Sequence, residues 1–450
     1  MSLNLRLGLN SPRGLLLIGL AIREVLCFWT GHPYDMEVWI RNSFFVSAGQ
    51  NPYESYMPPV PGLSFAFLND QLPGVGYLPL WPLVGAGLYR LFALVPGTNR
   101  FVLYFLLKQP PVVGDTVLGL MIYRAILHGG GSPAIALRGI KFWMFFPYAI
   151  AVSALWGMFD SVVAALYLAF LLTNWTWKGH AGVGLAILLK WLPVIYLPYH
   201  LLRQQGARRL GPVVSVGVPL GFTALVFFVA GWDYAGVTAM AQFASHGGGA
   251  GMTYVSLLRF VIFHANEAWV GYVYLLVGFV WVPAVILGAI AAARRFPDGG
   301  TQATVQGVLF LTILFFLTRW GINEQYLVYL LPLFYVDVLL WHPERKSLFS
   351  LTWILGFAFL LANNNLLIWF FAPAFPQAFD LAFAFDNWSD LAWVRYAALY
   401  TLSALFTIHL VQLARIFVRS ESSPTPWLWR PLARLQSVLR VTRTDVSGGP

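Results

Sequence analysis

Six stretches of this chain are long and apolar enough to cross a bilayer, and that feature decides the solvent in which it folds. Leu15 to Trp29, Phe142 to Leu155, Val213 to Ala230, Val270 to Ala293, Leu348 to Phe371 and Leu391 to Val418 approach or exceed the roughly 20 residues a helix needs to span the hydrocarbon. With 58% hydrophobic and only 10% charged residues, most of the 450-residue chain cannot face water. The expectation is an all-α, polytopic transmembrane bundle of about 11–13 membrane segments. The first stretch retains Arg23 and Glu24 and is followed by no small-residue cleavage site, so it reads as a retained helix.

The net charge of +10 lies mostly in short loops and the tail, where the positive-inside bias accounts for it and no nucleic-acid partner is needed. The single cysteine, Cys27, excludes an intramolecular disulfide and any Cys-built metal site. Taking basic loops as cytoplasmic places Arg203 to Arg209, Arg294 with Arg295, His342 to Lys346 and the tail from Arg415 inside. The loop after the first span, the Trp232 to Trp269 loop, the Arg319 to Tyr326 turn and Phe375 to Trp393 then lie outside. Two apolar stretches broken by prolines, Tyr77 to Val95 and Ala181 to Leu201, must both cross or both be re-entrant or interfacial. The second version fits the charge rule better, because it puts Arg124, Arg138 and Lys141 inside and the Trp156 to Asp160 corner outside. The chain reads as one membrane domain, residues 1–418, with an outer loop at 31–76. A basic tail at 419–450 carries an interfacial helix at Trp427 to Val441.

Polar residues in such a chain are costly and therefore informative. Asp35 and Glu37 lie two positions apart just beyond the first span; extended backbone would aim both to one side, and a helix would make them diverge. Asp35 could equally cap a short surface helix. Lys108 and Asp115, seven residues apart, share one face of a helix bent by Pro110 and Pro111, so they should pair or line one polar cavity. Asp160 follows a short corner and caps the next helix or faces that cavity. Lys190 interrupts an apolar run, where a charge costs about 2.5 to 3.5 kcal/mol on insertion scales; it snorkels, pairs, or binds a lipid phosphate. Arg319, Asn323, Glu324, Gln325 and Tyr326 crowd one outer turn too polar to face lipid. His246, Arg259, His264 and Glu267 share another outer loop, at spacings that match no zinc signature.

In this order, the elements resemble the GT-C superfamily of polytopic glycosyltransferases, most closely the branch adding the first mannose to glycosylphosphatidylinositol and its prokaryotic relatives. The resemblance rests on Asp35 and Glu37, on Gly49 to Tyr53 (similar to G-x-S-P-Y), and on the Lys108 to Asp115 helix. It continues through Ser153 to Ser161 (similar to S-x-x-W-G-Q-x-D-S), Lys190-Trp191-Leu192-Pro193 (similar to K-x-Y-P) and Asn323 to Tyr326. The chain departs in having Asp-x-Glu for Asp-x-Asp, Met158 for Gln, and Trp191-Leu192 before Pro193. The resemblance implies transfer of a hexose, mannose in the nearer branch, from a polyprenyl phosphate sugar to a lipid or glycan hydroxyl at the outer or lumenal face. It implies Asp35 as general base and Glu37 as its helper, orienting the acceptor or holding a divalent cation, Mg or Mn. Lys108, Lys190 and Arg319 are then candidates to neutralise the leaving phosphate, with Asp115, Asp160, Asn323, Glu324, Gln325 and Tyr326 around the substrates. The setting is a plasma membrane in a prokaryote or the endoplasmic reticulum in a eukaryote. The alternatives are a secondary transporter or lipid flippase, whose transport path would use the same buried charges, and a noncatalytic membrane subunit.

Overall fold

The computed structural model describes residues 10–419 except 54–56, 66–67, 69–71, 73–75, 96, 98, 174–175, 205–209, 234–250, 255–277, 298–299, 320 and 388. For residues 386–391 and 419, side chains are left aside. The tail helix expected at Trp427 to Val441, and His246, Arg259, His264 and Glu267, lie outside the described residues.

Among the described residues the architecture is helical throughout, with only an isolated bridge pairing Met57 and Leu72. Five helices are long and apolar enough to cross a membrane, up to seven if each of two bent pairs is one span. The protein is therefore a membrane-embedded helical protein.

Helix α1 (Pro12–Trp29) begins at a Ser11 cap whose hydroxyl accepts the Gly14 N–H at 3.0 Å. Helix α2 (Pro33–Ser47) follows after three residues, turned 83° from α1. Pro33 at its first position and the His32 cap explain why it starts there. Helix α3 (Leu80–Ala93) lies alongside α2 in the same direction: Trp39 meets Trp81, Phe44 meets Tyr89, and Arg90 donates to the Ser47 carbonyl. Since α2 turns through nearly a right angle from α1, the pair lies across one end of the bundle.

Helix α4 (Arg100–His128) runs the length of the bundle. Its inner prolines lack the N–H that would bond the carbonyls of Leu106 and Leu107, and Ser161 donates to the Pro111 carbonyl at 3.1 Å. Gly114 lets α7 (Asp160–Leu171) approach closely, since a Cβ there would strike Val162. Between them come α5 (Pro133–Met144), the short α6 (Pro147–Ile150) and one π-helical turn, Ala151–Trp156, with a 46° bend at the Pro147 break. A four-residue polar knot binds these elements. Asp115 accepts from Arg23 Nε at 2.7 Å, Trp143 Nε1 at 2.9 Å and Ser153 Oγ at 3.0 Å.

Helix α8 (Trp177–Leu189) ends at Lys190, and a 3-10 turn (Leu192–Tyr196) leads into α9 (Leu197–Arg203). His180 near the start of α8 hydrogen-bonds Gln204 just after α9 at 2.9 Å, while Lys190 at the tip reaches Asp160. The chain therefore enters and leaves this hairpin at one end of the bundle. Helix α10 (Leu210–Ala230) returns to the α2 end, where Phe227 stacks on Tyr53 and Trp232 donates to the Gly49 carbonyl.

The second half contributes α11 (Trp281–Arg295), α12 (Thr301–Thr318), α13 (Leu327–Leu340), α14 (Lys346–Asn363), α15 (Pro376–Asn387) and α16 (Ser389–Arg419). Arg294, Arg295, Arg345 and Lys346 gather where these helices turn at the end opposite α2. At that end Asp337 pairs with Arg345 at 2.9 Å. The charge rule expects such a basic end on the cytoplasmic side.

Candidate functional site

Asp35 sits in the first turn of α2, and its side chain is 30% exposed, so solvent or a ligand can reach it. The Trp156 indole donates to its Oδ2 at 2.6 Å. The π turn is what makes this possible. A π bulge rotates the residues beyond it relative to an α-helix, and Gly157 at φ +95° then releases the chain immediately after Trp156. The Trp156 carbonyl accepts the His32 N–H at 3.2 Å, and Phe370 accepts that of Gly31 at 2.8 Å, so the α1–α2 link is held from two sides. His32 Nδ1 in turn accepts the Asp35 N–H at 3.4 Å. Burial lowers the His32 pKa against the pull of the Asp35 charge, which agrees with a neutral ring whose Nδ1 is an acceptor.

Glu37 points elsewhere. It is buried against Arg41 Nε at 2.6 Å and accepts the Phe65 N–H at 3.0 Å, while Arg41 donates to the Met57 and Leu68 carbonyls. This cluster fixes the outer loop onto α2. Because the segment is helical, the two carboxylates diverge, and Glu37 does not share a ligand with Asp35. A divalent cation held by Asp35 and Glu37 does not fit this arrangement. Among the described residues no group of three or more His, Cys, Asp or Glu side chains is placed to hold a metal ion.

Lys108 and Asp115 also separate. Lys108 Nζ donates to the Thr30 carbonyl at 2.6 Å and its hydroxyl at 3.1 Å, with Leu155 O at 3.4 Å. It thereby ties the end of α1 to the π turn beneath Gly157. Asp115 belongs to the Arg23 knot, so the expected Lys108–Asp115 pair is replaced by Arg23–Asp115, a partner visible in the sequence only as a charge inside the first span. Both residues hold helices together and neither faces the open carboxylate.

Asp160 does not cap α7. It occupies the first turn, where its charge suits the helix dipole, and binds Lys190 Nζ at 2.7 Å. The ammonium sits among aromatic rings, 4.6 Å from the centroid of Tyr326, 5.7 Å from Phe159 and 5.8 Å from Tyr77. Trp156, which binds Asp35, and Asp160, which binds Lys190, are four residues apart across Gly157, so the carboxylate and the cation lie toward the same end of the bundle. Arg319 stacks over Trp191 at 4.3 Å. The Arg319 to Tyr326 turn thus converges with Lys190, as the crowding of polar residues suggested.

Glu324 enters the same region on the 3-10 turn Glu324–Tyr326. Its Oε1 accepts from Asn364 at 2.7 Å and Asn363 at 3.0 Å, and the Tyr148 hydroxyl donates to its carbonyl. Burial pushes its carboxyl up to about 7, opposed by the two amides and aided by the Asp35 charge. Among the described residues, Glu324 Oε2 and Gln325 Oε1 are buried with no hydrogen-bond partner, while the Tyr329 hydroxyl lies within hydrogen-bonding reach of Asp160. Unpartnered buried polar atoms are rare, and these two lie on the turn that brings Tyr326 to Lys190. Asn323, just before the turn, is only partly buried and caps it with its backbone alone.

Asn364 opens a strained turn. Asn365, Leu366 and Leu367 all take positive φ, at +46°, +55° and +69°. For non-glycine residues this costs about 1–2 kcal/mol each, and it lets Phe370 return to pack on Trp156 and His32. Sequence reasoning passed over Trp156 as a ligand of Asp35, together with His32, Asn363 and Asn364. The run Asn363-Asn364-Asn365 inside an apolar stretch was the available signal.

Comparison with protein-family models and with curated proteins returned no match.

Proposed function

We propose that the protein is a membrane glycosyltransferase of GT-C type, with 11–13 membrane segments, that moves a hexose, mannose in the nearer branch, from a polyprenyl phosphate to a lipid or glycan hydroxyl. The observation that carries this reading is the reachable carboxylate of Asp35, held by Trp156, at the same end of the bundle as the aromatic-lined ammonium of Lys190, held by Asp160. A sugar leaving as a lipid phosphate needs no strong general acid, unlike hydrolysis with its two carboxyl groups. It needs a base for the acceptor oxygen and a cation for the leaving group.

In this reading Asp35 accepts the acceptor's proton as its oxygen attacks the anomeric carbon, and the bond to the phosphate oxygen breaks with inversion. Trp156 and His32 hold Asp35 in place. Lys190 and Arg319 face the phosphate, and Tyr77, Trp156 and Phe370 offer ring faces to the sugar. Glu37, Lys108 and Asp115 are structural supports. A transporter would draw on the same buried charges, but Lys108 and Asp115 are consumed in contacts between helices.

Radiolabelled polyprenyl phosphate mannose, purified protein in nanodiscs and a lipid extract of the host test this directly. Asp35→Asn is expected to lower transfer by about 10²–10⁴-fold with the protein still folded, while Glu37→Gln lowers the folded yield and spares the rate of what remains. Full activity in Asp35→Asn would overturn the assignment, and no transfer from any polyprenyl phosphate sugar would favour transport.

A further inference from the structure

At the end of the bundle opposite Asp35, α4 and α7 part. Helix α7 has 12 residues, about 18 Å against a hydrocarbon thickness near 30 Å, whereas α4 continues to His128. The notch between them is an open cavity of about 390 Å³ lined by Met121, Arg124, His128, Ala169, Leu172 and Thr173. Arg124 lies sixteen residues beyond Lys108 along α4, or roughly 24 Å. By the charge rule this basic end of α4 belongs with the inner headgroup layer.

Charge complementarity says what belongs there. Neither Arg124 nor His128 makes a hydrogen bond or ion pair among the described residues. Between Thr116 and Trp232 the only acidic residue is Asp160, at the other end of α7 and already bound to Lys190. The same stretch contributes Arg124, Arg138, Lys141, Lys178 and Arg203. The N-terminus of α8, carrying Lys178, returns against the floor of the notch, since a Cβ on Gly179 would strike Thr173. The end of α13 packs beside this level, with Leu340 and Trp341 against Gly129, and the carboxylates there, Asp337 and Glu344, are already paired with Arg345 and His342. Cations beside an apolar wall of Met121, Ala169 and Leu172, with the nearby carboxylates taken, suit an anion that also has an apolar part.

We propose that this notch seats the phosphate headgroup of an anionic phospholipid of the cytoplasmic leaflet, with Arg124 and His128 on the phosphate and an acyl chain along α7. Basic residues also serve as topological signals without binding anything, so the test must separate a seat from a diffuse basic surface. Full-length protein in neutral detergent is titrated with cardiolipin and with phosphatidylcholine, and bound lipid is counted by native mass spectrometry. One cardiolipin is expected to be retained preferentially, and Arg124→Ala with His128→Ala should weaken that retention about tenfold or more. Arg294→Ala with Arg295→Ala, a basic pair on α11 at the same end, should leave it unchanged, and inorganic phosphate should not displace the lipid. Equal losses in the two double variants would show a diffuse surface and overturn the proposal. So would undiminished retention without Arg124 and His128, or displacement by inorganic phosphate. The thermal unfolding of each variant, followed in the same detergent, separates lost binding from lost fold.

Discussion

Asp35 and Glu324 show how environment divides the labour of similar groups. Asp35 keeps contact with solvent and receives one strong indole hydrogen bond, whereas Glu324 is buried, with two amides on one oxygen and none on the other. A carboxyl raised from 4.5 to about 7 binds its proton more tightly in the folded state. Its stabilising contribution is full below pH 4.5, is lost as the pH rises through about 7, and is constant above that. Thermal midpoints measured across that window should therefore fall for the wild type relative to Glu324→Gln, which cannot ionise. Parallel curves for the two proteins would remove Glu324 as the titrating group. The pairing of Glu37 with Arg41, four residues on, was legible as a helical spacing. The divergence of Glu37 from Asp35 was legible only as a conditional, because it depended on whether residues 33–47 form a helix.

Two irregular elements build the site, and neither is announced by an apolar pattern. The π turn at Ala151–Trp156 aims Trp156, and the left-handed run at Asn365 to Leu367 brings Phe370 back beneath it. Both sit in stretches that hydropathy reads as plain spans, because composition reports burial and says nothing of one extra residue in a turn. The strained run offers a clean test at Leu366, which is 68% exposed and so has little packing to lose. Leu366→Gly removes the left-handed penalty and should stabilise the fold by up to about 1 kcal/mol, while β-branched Leu366→Val should destabilise it. Thermal unfolding in detergent reads both; a lower midpoint for the glycine variant would show that the turn is not strained. The hairpin of α8 and α9 has the opposite character. Pro193 and Pro198 made the break after Lys190 readable in advance, and the His180–Gln204 bond closes the base of the hairpin.

At the scale of the whole molecule, buried polar knots fix which helices are neighbours in a solvent where apolar surfaces do not discriminate. Arg23 is buried with Asp115, and removing one partner leaves an uncompensated charge. Asp115→Asn should therefore destabilise by about 3 kcal/mol or more, and adding Arg23→Met should recover much of that loss. Unfolding midpoints of the two single variants and the double variant decide it. A double variant as unstable as the sum of the singles would mean that the pair is not coupled.

The sequence by itself determined the solvent, the helical class and most of the polar residues at the site, because charges in lipid are too costly to be placed without partners or purpose. Only the tertiary structure decided how those residues sort. Lys108, Asp115 and Glu37 went to contacts that hold helices and loops, and Asp35, Asp160, Lys190, Arg319 and Glu324 went to the open end. The physical reason is that a buried charge takes the nearest partner the packing offers, and partners such as Arg23, 92 positions away from Asp115, become neighbours only when the helices assemble.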